Sequence, residues 1–134
     1  MLVLLDDAGK IASYADVPDI ALDLIEVADK PTTIIYPGAK RLAPNLIAED
    51  GTIGIRITRE EFTRSLIFRY NKPIVSTSAN ISGDPSPHFF GEISEEIKNA
   101  VDYIVDYRRN DHKPAAPSSI IKLGMGGEIQ IIRK

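Results

Sequence analysis

The stretch from Lys72 to Pro87, KPIVSTSANISGDPSP, constrains this chain more than any other. A proline admits the short apolar run Pro73 to Val75, which reads as a buried strand. Hydroxyl and amide side chains then crowd in at Ser76, Thr77, Ser78, Asn80 and Ser82, and Gly83, Asp84 and Pro85 supply a turn. A strand that empties into a loop of small donors and acceptors suits an α/β protein that holds a polyanion. Small side chains let the backbone come close, and hydroxyls and N–H groups point at the ligand's oxygens. The competing reading is a polar loop whose hydroxyls cap the next element.

The 134 residues suffice for a single domain, 1–134, with its own core. Hydrophobic residues make up 43% and charged residues 26%, as in an ordinary soluble globular protein. The formal net charge of -3 lacks the basic excess of a dedicated nucleic-acid binder. The pairs Lys40/Arg41 and Arg108/Arg109 read as solvated surface pairs. Cysteine is absent, which excludes disulfides and thiolate metal sites. His88 and His112 lack ligand-like spacing and read as surface residues, so no metal site is expected. The apolar start, Leu2 to Leu5, runs straight into Asp6 and Asp7, and it is too short for a signal peptide or a membrane span. A cytoplasmic protein with no membrane partner is expected.

Along the chain, Leu2–Leu5 reads as a strand and Lys10–Ala15 as a helical turn. A helix follows from the Asp16–Asp19 start to Lys30, with Ile20, Leu24 and Val27 inward beside Ala21, Ile25 and Ala28. Thr32–Tyr36 is a β-branched and aromatic strand. A short helix is one reading of Arg41–Ile47, and Thr52–Ile57 is the next strand. Thr58 with Glu61 forms a capping box for a helix to about Tyr70, with Phe62, Leu66 and Ile67 inward. Ser94 caps a short helix, and Tyr103–Tyr107 reads as a strand. A long polar loop covers Arg108–Pro117. Two strands, Ser119–Leu123 and Glu128–Ile132, meet at a glycine-rich hairpin turn. The expected fold is α/β: a twisted, mixed sheet with helices packed on it.

Arg56 is the main candidate for chemistry. Alternation points its side chain opposite Ile55 and Ile57. It is either solvated on an open face or clamped on a carboxylate or phosphate, whose oxygens match its planar fork. Gly54, on the same face, leaves room for a ligand.

The string Pro73–Gly83, PIVSTSANISG, closely resembles the signature of the YrdC-like family, the threonylcarbamoyl-AMP synthases. Ile53–Arg56 is similar to that family's Val-Gly-Val-Arg strand, Ser118–Ile121 to its Ser-Thr-Ile-Val element, and Ile131–Arg133 to its closing Ile-Leu-Arg. Lys30–Thr33 matches Pro-Gly-Pro-x-Thr loosely, with lysine where glycine is usual. The resemblance implies formation of threonylcarbamoyl-adenylate from L-threonine, bicarbonate and ATP, for N6-threonylcarbamoylation of adenosine in tRNA. It implies that Thr52, Ser78, Asn80, Ser86 and Arg133 serve ATP, and that Arg56, Ser76 and Ser118 serve threonine. Mg²⁺ is expected with the ATP, and tRNA-modification proteins as partners.

The family's N-terminal basic cluster and its Pro-Thr-Asp-Thr-like segment are not matched here. The expectation is therefore a chain truncated at its N-terminal side, inactive alone, and prone to self-association through an exposed sheet edge. The alternative is a non-catalytic nucleotide- or RNA-binding module.

Overall fold

The computed structural model describes residues 1–134 and divides them into two compact units, 1–76 with 118–134, and 77–117. The first unit holds the strands β1 (Leu2–Leu5), β2 (Thr32–Tyr36), β3 (Ile53–Ile57), β4 (Ile74–Ser76), β5 (Ser119–Leu123) and β6 (Ile129–Arg133). It also holds the helices α1 (Ile20–Val27) and α2 (Glu61–Tyr70). The strands form one six-stranded sheet in the order β4-β1-β3-β2-β5-β6. The sheet is mixed: β1/β3 and β2/β5 run parallel, and the other neighbours antiparallel.

Register decides what each face carries. Val3 aligns with Ile55, Ile34 with Ile55, and Tyr36 with Ile53, so these side chains share a face. That face is the core, where Val3, Leu5, Ile34, Tyr36, Ile53, Ile55 and Leu123 pack against Ile11, Ala15 and Ala21. Burying each large aliphatic side chain there contributes about 1.5–3 kcal/mol. Burial also raises the pKa of the Tyr36 phenol, which stays protonated. On the opposite face, Arg56 aligns with Leu4 and Thr33, and Thr33 with Ile120.

Four expectations need correction. The Pro73–Val75 run is an outer strand and not a buried one: β4 ends the sheet and leaves Val75 50% exposed. In α1 the packed stripe is Ala21, Leu24 and Ile25. Ile20 and Val27 lie about 100° round the helix from the centre of that stripe and are exposed. The α2 cap is Glu60, whose carboxylate accepts from the Phe62 and Thr63 amides at 3.1 and 2.7 Å. Thr58 instead accepts from the Glu60 amide, and of the three residues expected inward only Ile67 is buried. Tyr103–Tyr107 forms no strand. The Arg109 guanidinium donates to the carbonyls of Ile104 and Val105, which a strand would have needed for its ladder.

The β5–β6 hairpin forms as expected, turning through Gly127 at φ +90°. A bulge shifts its register, so that Ile120 meets Arg133 while Ile121 meets Ile131. All of β6 is exposed. In the second unit, Ser94 caps the short helix α3 (Glu95–Ala100) by accepting from the Ile97 amide, also as expected.

Candidate functional site

Strand alternation sends Arg56 to the face away from the core, where its guanidinium is half-buried and has no anionic partner. Burial lowers its pKa from the usual guanidinium range, and no neighbouring carboxylate counters that shift. A partly dehydrated cation without a counter-ion is costly unless a ligand supplies the anion.

The hydroxyls nearest in register lie on β2 and just before β5. Thr33, directly opposite Arg56, is 2% exposed, and its Oγ1 lies 2.9 Å from Ser118 Oγ. The Ser118 carbonyl accepts from Arg133 Nε at 2.8 Å. Ser76 aligns with Leu2, which shares the Leu4 and Arg56 face. By strand spacing and rise, Ser76 stands about 12 Å from Arg56 between Cα atoms. The first unit thus brings Arg56, Ser76, Ser118 and Arg133 to one face of the sheet.

Thr52 belongs to the same face, but its hydroxyl is engaged. It donates to Asp50 Oδ1 at 2.7 Å, and Lys122 Nζ donates to Asp50 Oδ2 at 2.7 Å. The Lys122 hydrogen bond, followed by those from Thr52, lowers the Asp50 pKa from 3.8 to about 2. Folding therefore favours the carboxylate. Its stabilisation is complete above about pH 4 and is lost as pH falls through about 2. Urea unfolding of Asp50→Asn should lack the part of the acid-limb stability loss that wild type shows between those values. Identical profiles for the two chains would remove Asp50 from that role.

Sequence reasoning missed two residues of this face. Lys122 adds a third cation to Arg56 and Arg133, and its alternation within Ser119–Leu123 was the available signal. Thr33 lies in the segment that resembles the family's pattern only loosely, and its bond to Ser118 joins residues 85 apart.

The second unit carries Ser78, Asn80 and Ser86. Both serines are exposed. The Asn80 amide donates to the carbonyls of Ile81 and Asp84 at 3.1 and 2.9 Å. It thereby braces the turn in which the Asp84 amide donates to Ile81 O and Gly83 adopts φ +94°. With both donors taken, Asn80 keeps a buried Oδ1 that has no partner. A cavity of about 400 Å³ within this unit is lined by Asn80, Asp84, Ser86, His88, Glu92 and Ser94 among others. Glu92 accepts from the His88 amide at 2.8 Å, the main cause of its lowered pKa.

No group of three or more His, Asp or Glu side chains is placed to hold a metal ion. No helix is long and apolar enough to cross a membrane.

A family model named for Sua5, YciO and YrdC, and described as telomere recombination, matches residues 1–134. The chain belongs to the Sua5/YciO/YrdC family. A Methanocaldococcus jannaschii protein, provisionally named threonylcarbamoyl-AMP synthase, is 40% identical over 118 residues, covering 87% of this chain and 54% of its own length. The threonylcarbamoyl-AMP synthase of Pseudoalteromonas translucida is 26% identical over 133 residues, covering 96% of this chain and 70% of its own. The chain thus spans about half the length of the first of these relatives. Among solved structures, Escherichia coli YciO superposes with a TM-score of 0.80 at 21% identity, over 99% of this chain and 64% of that one. Full-length HypF in a phosphate- and nucleotide-bound form gives a TM-score of 0.79 at 23% identity, over 98% of this chain and 21% of that one. Both show that the Sua5/YciO/YrdC fold is the one adopted here: an α/β fold built on a six-stranded mixed sheet.

Proposed function

We propose that this chain binds L-threonine and ATP in the manner of the threonylcarbamoyl-AMP synthases it is related to. The reaction would be formation of threonylcarbamoyl-adenylate from L-threonine, bicarbonate and ATP, with release of pyrophosphate, for later use in tRNA modification. The observation that carries the reading is Arg56, half-buried, unpartnered, and facing away from the core. A guanidinium in that state suits the carboxylate of an amino acid, two oxygens against two N–H groups. Ser76 and Ser118 supply neutral hydroxyls on the same sheet face for the rest of the amino acid.

The resemblance assigns Thr52, Ser78, Asn80, Ser86 and Arg133 to ATP. The structure qualifies two of them chemically. Thr52 has spent its proton on Asp50, and Asn80 has spent both of its own, so each would meet a nucleotide as an acceptor or as a brace for the backbone. Because no cluster of protein carboxylates is placed to hold an ion, Mg²⁺ would arrive on the ATP phosphates. No Ser-His-Asp or paired-carboxylate arrangement joins these residues, and positioning with charge stabilisation is the chemistry they offer.

Calorimetric titration of the whole chain with L-threonine, with L-valine as the nearly isosteric control, tests the proposal. Saturable heat with threonine and at least tenfold weaker binding of valine is expected, since a site built to bond a hydroxyl rejects its apolar analogue. A flat threonine titration would overturn the reading.

A further inference from the structure

We infer that Thr33 is a positioning residue for the ligand held by Arg56, and that it acts through Ser118. The inference rests on the threonine-binding reading above and adds a residue that reading does not contain.

Thr33 is 2% exposed, so it is closed to solvent, yet it stands directly opposite Arg56 in the β2/β3 register. Its Oγ1 shares one hydrogen bond of 2.9 Å with Ser118 Oγ, in which either atom can be the donor. Two hydroxyls carry two protons, and the bond between them uses one, so the other is left for a further acceptor. When Thr33 donates, the Ser118 proton is the free one, and Ser118 can offer it on the Arg56 face. The same serine is also held at its carbonyl, which accepts from Arg133 Nε at 2.8 Å. Ser118 is thus fixed through the backbone by one partner and through the side chain by another. Removing the Thr33 hydroxyl frees the Ser118 rotamer and leaves the backbone in place.

A purely structural role, locking β2 to β5, predicts lost stability with unchanged affinity. Threonine titrations of the whole chain separate the two. Thr33→Val should weaken L-threonine binding by about fivefold, the scale of one neutral hydrogen bond, and Thr33→Ser should stay within about twofold of wild type. On a Ser118→Ala background, Thr33→Val should add less than about twofold, because the residue it acts through is already gone. Should Thr33→Val lose its cooperative thermal transition, Thr33→Ala takes its place in the same comparison. Wild-type affinity in folded Thr33→Val, or in Thr33→Ala where it takes that place, or effects that multiply in the double variant, would overturn the inference while leaving the function standing. A wild-type chain that binds no threonine would overturn both.

Discussion

Arg56→Ala is expected to weaken L-threonine binding by roughly tenfold to a hundredfold. A charge-assisted hydrogen bond of this kind contributes about 1.5–3 kcal/mol, and each 1.4 kcal/mol is a factor of ten. Arg56→Lys should fall between the two, since an ammonium keeps the charge but not the two-pronged geometry. ATP affinity should change less than threonine affinity. The unligated fold should lose no stability, because the guanidinium has no partner to forfeit and its burial lowers its own pKa. Titration with each ligand, combined with urea unfolding of the free variants, measures all of this. Threonine affinity left unchanged in Arg56→Ala would remove the residue from the site.

The neighbouring residue should behave in the opposite way. Ile55 is 2% exposed and lies between Val3 of β1 and Ile34 of β2, at the centre of the core face. Ile55→Ala removes buried methyl groups and leaves a cavity that strands on both sides prevent from collapsing. The expected loss is about 3 kcal/mol, a large share of the roughly 5–15 kcal/mol that holds a typical domain together. It should appear as a lower urea midpoint with an unchanged slope, and threonine affinity of the folded fraction should stay close to wild type. A midpoint within error of wild type would mean that Ile55 is not in the core.

That adjacent residues divide so cleanly was legible in the sequence, because a period of two in Ile53–Ile57 needs no knowledge of the partner strands. The same holds for Thr32–Tyr36, for the Gly124–Gly127 hairpin and for the Ser94 cap, each of which is decided within a few residues. What misled was information held elsewhere in the chain. Tyr103–Tyr107 has strand-like side chains, but Arg109 takes the Ile104 and Val105 carbonyls. Glu60 outcompetes Thr58 as the α2 cap because its longer carboxylate reaches two amides at once. The position of β4 at the sheet edge follows from strand order, which local pattern does not encode. In the candidate site, Arg56 could be oriented from alternation alone. The Thr33–Ser118 bond and the Asp50–Thr52–Lys122 contacts depend on which strands become neighbours.

Strand order also sets a timetable for making the protein. β2 lies between β3, which follows it closely in the chain, and β5, which comes after about 80 further residues. At a synthesis rate of roughly 5–20 residues per second, the β5-facing edge of β2 waits on the order of 4–16 seconds for its partner. During that interval the backbone of Thr32–Tyr36, an apolar and β-prone segment, is open to any other strand that reaches it first. The parallel β2/β5 pairing is also non-local, which slows the final closure once the chain is complete. Crowding of nascent chains during that interval therefore gives this fold a route to misassembly that is closed once β5 has paired.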